Sequence, residues 1–241
     1  MKKIARKIIR KLSFLTSQKS IIVRCVASGI SNTNGYVYFY DDKKRLKVLD
    51  LIHKIKDEDE EKMCLCNNEA YQIYMAVERT KKVDGDIAEV GCYKGGSAKL
   101  ICEVKGDKSL HVFDTFEGLP NPTDNDNTDI HHKGQYAASL EYVEDYLKYY
   151  NNVYLYKGLF PSTSEPIKDK KFSFVHLDVD LYEATKASIE FFYPRMNKGG
   201  IMISHDYIDT PGVRKAFDDF FGDKPEPIIE MSGSQCLVVK V

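Results

Sequence analysis

The 241-residue chain has almost no net charge: 35 Lys and Arg stand against 36 Asp and Glu, giving -1 at neutral pH. Nucleic-acid binders carry a clear basic excess to neutralise phosphates, so no nucleic-acid partner is expected. No run of about 18 apolar residues occurs, so no membrane span is expected. The six cysteines (Cys25, Cys64, Cys66, Cys92, Cys102 and Cys236) form no disulfide framework and offer no four-ligand zinc spacing. Free thiols in a reducing cytoplasm fit that scatter better than cross-links. The Gly-x-Gly-x-x-Gly dinucleotide fingerprint is missing, as is a well-placed Tyr-x-x-x-Lys pair. A nucleotide-dependent oxidoreductase or epimerase is therefore the weaker enzyme alternative. Asp124-x-Asp126-x-x-Asp129 lacks the glycine and the distal Glu of a calcium loop, and no calcium is expected there.

What is present describes a globular protein with 43% hydrophobic residues, enough for one ordinary domain with an extension. Residues 1–66 read as a helical N-terminal extension and lid, and residues 67–241 as the main domain. Lys2, Lys3, Arg6, Lys7, Arg10 and Lys11 interleave with Ile4, Ile8, Leu12 and Leu15 at helical spacing. That basic amphipathic segment, residues 1–15, has two readings. It docks peripherally on an anionic membrane surface, or it packs against its own domain or a second copy in a homo-oligomer. Tyr36–Tyr40 reads as a short strand or as a segment lining a ligand pocket. A helix follows over Leu46–Ile55. The acidic run 57–61 reads as a solvated face, and Asn67-Asn68 as the cap of a helix from Glu69 to Lys81.

The centre of the chain is the stretch from Asp86 to Ser97. A short buried strand (Ile87, Ala88, Val90) runs through the glycine turn Gly91-x-x-x-Gly95-Gly96 into a helix beginning near Ser97. Free N–H groups and a positive helix end then face a crevice beyond the strand. Glu89 would repel a phosphate and attract an amine. The expected ligand thus carries both ammonium and carboxylate, as S-adenosylmethionine (SAM) does. Asp114 lies at the tip of the next strand, 23 residues after Gly91, where a ribose diol is held in such folds. The polar loop from Thr115 to Gln135 reads as a lid, and His131 and His132 within it read as solvated or as reaching a substrate. Strands are expected over 153–158, 172–178 and 201–207, with a turn at 197–200. A helix is expected over 211–221, and a closing hairpin across Ser232-Gly233-Ser234. Gly158 would let a flat ring approach, beside Phe160. His176, inside a strand, reads as a core histidine.

Strands alternating with helices define the fold class. It is α/β, with a Rossmann-like, mostly parallel sheet, an antiparallel C-terminal strand and helices on both faces. Ligands of such sheets sit beyond the carboxyl ends of the strands, where Glu89, Asp114, Asp178, His205 and Asp206 all fall. Asp178, His205 and Asp206 are one strand–helix–strand unit apart and could hold one divalent cation. The oxygens favour Mg²⁺, whereas the imidazole shifts preference towards Mn²⁺ or Fe²⁺. A metal-free hydrogen-bonded cluster is the other reading of the same residues.

Glu89-x-Gly91-x-Tyr93-x-Gly95-x-Ser97 resembles the first motif of the catechol-type, metal-dependent O-methyltransferases. Three further stretches, Phe113-Asp114-Thr115-Phe116-Glu117-Gly118-Leu119-Pro120, Leu177-Asp178-Val179-Asp180-Leu181-Tyr182-Glu183 and His205-Asp206-Tyr207, more specifically resemble the macrocin O-methyltransferase family. The resemblance implies a class I methyltransferase fold, SAM as cofactor, and methylation of a hydroxyl on a sugar or glycosylated metabolite. It implies that Glu89, Gly91 and Ser97 hold the methionine end of SAM, that Tyr93 lies near the sulfonium and that Asp114 binds the ribose. It further implies Asp178 as metal ligand and base and Asp206 as second ligand. The family has two consecutive aspartates before the tyrosine, and here the first is His205. A non-catalytic SAM-fold scaffold, binding a partner through its basic helix, is the remaining alternative.

Overall fold

The computed structural model describes residues 43–59 and 61–241. The basic segment 1–15 and the run Tyr36–Tyr40 lie outside the described residues. In chain order the elements are α1 (Lys43–Glu58), α2 (Asn67–Thr80), β1 (Asp86–Val90), α3 (Gly96–Cys102), β2 (Leu110–Asp114), α4 (Leu140–Leu147), β3 (Val153–Lys157), β4 (Phe172–Leu177), α5 (Tyr182–Phe192), β5 (Met196–Ser204), α6 (Pro211–Phe221), β6 (Ile229–Glu230) and β7 (Cys236–Val239). The sheet order is β3-β2-β1-β4-β5-β7-β6. All pairings from β3 to β5 are parallel; β7 runs antiparallel to β5 and β6.

Strand alternation decides what each face buries. Ile87, Phe174 and Ile203 point to the face covered by α1, α2 and α3, whose stripes include Val48, Ile52, Ile55, Ile73, Val77, Leu100 and Ile101. Ala88, Val90, Val175 and Leu177 point to the other face, against Ile189 and Phe192 of α5 and Val213 and Phe217 of α6. Residues of α1 thus share the main core.

Two local expectations change. The glycines at 199–200 do not end an element: β5 begins at Met196 and passes through them with a register irregularity against β4. Gly199, at φ +82°, donates to Lys240 O of the last segment, which keeps that irregular stretch paired. Secondly, the acidic run after α1 is engaged as well as solvated. Glu58 pairs with Lys99 at 2.7 Å, and Lys94 holds Asp59 at 3.0 Å and Glu61 at 3.2 Å. These contacts fasten the end of α1 onto the glycine turn and α3.

The chain turns back after β3, crosses to the far side of β1 and enters β4. That leaves a reversal of strand order between β1 and β4, and a crevice opens at their carboxyl ends. No helix among the described residues is long and apolar enough to cross a membrane.

Candidate functional site

A cavity of about 610 Å³ occupies that crevice, a size suited to a small-molecule site. Backbone ladders fix its floor. Asp178 N donates to Val90 O and His205 N to Leu177 O, both at 2.9 Å, so the ends of β1, β4 and β5 lie side by side. Gly91 crosses the Asp178 backbone so closely that a Cβ would fall 1.8 Å from the Asp178 carbonyl oxygen. Only glycine fits, and its φ of +85° suits no other residue well.

Gly91, Tyr93, Ser97, Asp114, Gly158, Asp178, His205 and Asp206 all line this one cavity. Glu89 and Gly95 are not part of its wall. Gly95, at φ +79°, starts α3 and packs where a Cβ would meet Val143 and Tyr146 of α4. Glu89 shares the inner face of Ile87 and is fully buried, with Oε1 2.9 Å from His176 Nδ1. Burial raises its pKa even though His176 and Ser97 oppose that. The strand period that buries Ile87 also draws Glu89 under the cradle. His176 is thus the paired core histidine that its strand position implies.

Asp114 is committed to the turn. Its Oδ2 accepts Cys92 N at 2.8 Å and Tyr93 N at 3.0 Å, while Oδ1 accepts Phe116 N at 2.8 Å. Two donors fill the lone-pair sites of Oδ2, whereas Oδ1 keeps acceptor capacity, so one ribose hydroxyl remains compatible with this role.

Beyond the carboxyl ends of β4 and β5, Asp178, His205 and Asp206 each offer a ligand atom, all within 4.8 Å of one another. His205 Nδ1 lies 3.1 Å from Asp178 Oδ1 and 2.9 Å from Asp206 Oδ1, and Nε2 lies 3.5 Å from Glu69 Oε2. Burial opposes a charged imidazole, but three carboxylates outweigh it and raise the His205 pKa well above its ordinary value. Burial likewise works against an ionised Asp178, and His205 overcomes it, holding that pKa low. Two carboxylates and an imidazole fit a divalent cation, which would displace the His205 proton on binding.

Several wall residues escape the sequence reading. Glu69, at the third position of α2, accepts Cys66 N at 2.6 Å, Ser234 N at 2.7 Å and Ser234 Oγ at 3.0 Å. It joins α2, the β6–β7 turn and His205. The signal was present as a helix start leading into the central strand, but the cap is Cys66 with Glu69, one position earlier than Asn67-Asn68. Asp180 faces Asp206, and burial followed by the charges of Asp206 and Asp178 pushes its pKa well up. Tyr136 comes from the lid, its ring 5.7 Å from that of Tyr93. Cys64 and Asp209 complete this end. Of the six described non-glycine residues with positive φ, four (Tyr93, Tyr136, Asp180 and Asp206) line the cavity. Backbone strain of this kind collects at binding sites.

Segment 115–139 roofs the cavity. Its two arms pair through Leu119 N to Gln135 O at 2.8 Å and Gly134 N to Leu119 O at 2.9 Å. Its tip is pinned by Asp126, whose Oδ1 accepts Tyr182 N at 2.7 Å. The α5 N-cap residue, Leu181, makes no side-chain cap, so the lid supplies it.

Comparison with known proteins agrees with this geometry. Residues 68–233 match the family model described as macrocin-O-methyltransferase (TylF). The chain is 31% identical over 170 residues to the 8-demethyl-8-(2,3-dimethoxy-alpha-L-rhamnosyl)-tetracenomycin-C 4'-O-methyltransferase of Streptomyces olivaceus, covering 63% of this chain and 64% of that one. It is 28% identical over 155 residues to the mycinamicin III 3''-O-methyltransferase of Micromonospora griseorubida, covering 57% and 61%. The chain thus spans about three fifths of the length of the curated relatives it matches. Among solved structures, the O-methyltransferase NovP superposes with a TM-score of 0.70 at 22% identity, covering 82% of this chain and 99% of that chain. The calicheamicin methyltransferase CalS11 gives 0.61 at 20% identity, covering 84% and 95%. Both share the Rossmann-like class I methyltransferase fold described above. The family match takes in the glycine turn, the lid, the Asp178 loop and the His205-Asp206 strand end, and the chain belongs to the macrocin O-methyltransferase (TylF) family.

Proposed function

We propose that the chain is a SAM-dependent O-methyltransferase acting on a hydroxyl of a sugar or glycosylated small molecule, assisted by a divalent cation. One observation carries the reading: a single cavity joins the glycine turn and Asp114 to Asp178, His205 and Asp206. The activities for which the relatives are named, O-methylation of tetracenomycin, novobiocin and mycinamicin derivatives, support the same acceptor class.

SAM supplies an electrophilic methyl when bound. Gly91, Tyr93 and Ser97 would hold its amino-acid end, Asp114 its ribose, and Gly158 with Phe160 its flat ring. A divalent cation held by Asp178, His205 and Asp206 would lower the pKa of the acceptor hydroxyl. Asp178, kept ionised, takes the hydroxyl proton on a carboxylate oxygen. With its proton on Asp178, the acceptor oxygen would be the nucleophile for the methyl group that SAM supplies, with S-adenosylhomocysteine as the leaving product. The lid excludes water, and the rigid strand ends align the reactants. Free thiols at all five described cysteines support a reducing, cytoplasmic setting. Calorimetry with S-adenosylhomocysteine (SAH) and SAM, with and without Mg²⁺ or Mn²⁺, tests the proposal. Absence of binding to the full chain would refute it.

A further inference from the structure

Five buried side-chain atoms lack a hydrogen-bond partner among the described residues: Glu89 Oε2, His131 Nδ1, Thr163 Oγ1, His176 Nε2 and Gln235 Nε2. Of these residues only His131 lines the cavity. It is 6% exposed, whereas its neighbour His132 is exposed. A ring nitrogen sealed from water without a partner is costly, and a ligand donor relieves that cost.

The fold decides which ligand. His131 N donates to Asn127 O at 2.9 Å, one turn from the Asp126 anchor. Asp126 touches the first residue of α5, and its Oδ1 lies 2.4 Å from the position a Cβ on Gly212 of α6 would take. This part of the lid therefore sits over the starts of α5 and α6. Those helices follow β4 and β5, whose ends carry Asp178, Asp180, His205 and Asp206. The ribose position at Asp114 lies beyond β1, towards the opposite edge of the sheet. His131 thus belongs to the half of the cavity where an acceptor must lie.

We propose that His131 is an acceptor-binding residue, its ring turning on ligand binding so that the unpartnered Nδ1 accepts a hydrogen bond from an acceptor hydroxyl. The lid then recognises the acceptor directly, as well as covering it. The inference rests on the methyltransferase reading and adds a residue to it. Substitution can separate the two ring nitrogens, because the Asn side-chain oxygen takes the place of Nδ1 and that of Gln the place of Nε2.

The test uses the full chain labelled with ¹⁵N-histidine. SAH is titrated first, then methyl α-L-rhamnopyranoside or methyl α-D-glucopyranoside as neutral glycoside probes. SAH should leave the His131 Nδ1 resonance in place, and a glycoside should shift it. Glycoside affinity should fall about tenfold in His131→Phe and His131→Gln, the loss of one hydrogen bond, and recover in His131→Asn. SAH affinity should be equal in all of these variants. A shift caused by SAH alone, no shift with either glycoside, or unchanged glycoside affinity in His131→Phe would overturn the inference. A wild-type chain that binds no SAH would overturn the methyltransferase reading and the inference together.

Discussion

Replacing Gly91 by Ala tests whether the cofactor turn and the Asp178 loop form one unit. The new Cβ would lie 1.8 Å from Asp178 O and 2.7 Å from its carbonyl carbon, where real Cβ atoms come no closer than 3.0 Å. Turn and strand end must therefore part by roughly 1 Å in a close-packed interior. The residue also has to hold φ +85°, which costs an alanine about 1–2 kcal/mol. Loss of the Asp178 N to Val90 O bond adds about 1 kcal/mol. Gly106→Ala is the matched control, since Gly106 has φ +64° but nothing within 4 Å of its Cβ position. Urea unfolding should show Gly106→Ala losing about 1–2 kcal/mol and Gly91→Ala at least about 1 kcal/mol more. Misplacing reacting groups by about 1 Å should cut methyl transfer by about a hundredfold in Gly91→Ala alone, with weaker SAH binding by calorimetry. Equal stability losses in the two variants, with SAH affinity untouched, would refute the coupling.

Four more outcomes are expected. Asp114→Ala strands three backbone N–H groups as well as removing the proposed ribose partner, so both stability and SAH affinity should fall by about 1–3 kcal/mol, read by denaturation and calorimetry. Asp178→Asn should abolish transfer in a radiolabelled-methyl assay while SAH binding survives, because the isosteric amide leaves the Asp178 backbone that abuts Gly91 in place. His205 is held protonated, so cation binding must expel its proton; Mn²⁺ affinity should rise with pH, and calorimetry in two buffers of different ionisation enthalpy should reveal proton release. Cys64 is the exposed thiol among the described cysteines, but burial against the cavity wall, followed by the charges of Asp178 and Glu61, pushes its pKa up to about 11. Iodoacetamide should therefore label it slowly at neutral pH, at a rate climbing steadily into the alkaline range and reduced by bound ligand.

The candidate site was legible wherever a residue's position in the cavity follows from its place on a strand. Asp114, Asp178, His205 and Asp206 fall at strand tips, and a parallel sheet gathers strand tips along one edge. The same logic missed what strand position does not determine. Glu89 sits one residue before the tip, so side-chain alternation takes it into the inner face with His176. Glu69 belongs to a helix, and its arrival beside His205 depends on how α2 packs against the β6–β7 turn, a contact spanning more than half of the chain. Asp126 stands in a motif that looks like a calcium loop, and its role as the cap of α5 appears only when the lid is folded over. His131 and His132 are indistinguishable in sequence, and one turn of backbone buries the first while leaving the second in solvent. The long polar loop was recognisable as a lid because a compact domain rarely keeps such a segment without use.

The Asp126 contact has a consequence for turnover. The amide that begins α5 has its partner in the roof, so lifting the roof strips that helix of its cap just after the loop bearing Asp178 and Asp180. Under the proposed function, release of a methylated product would be linked to fraying of the first turn of α5, and a vacated site would have the reacting loop at its least ordered. Such a protein would set its pace by how often the cap breaks, and would assemble its reacting groups only when the cap re-forms.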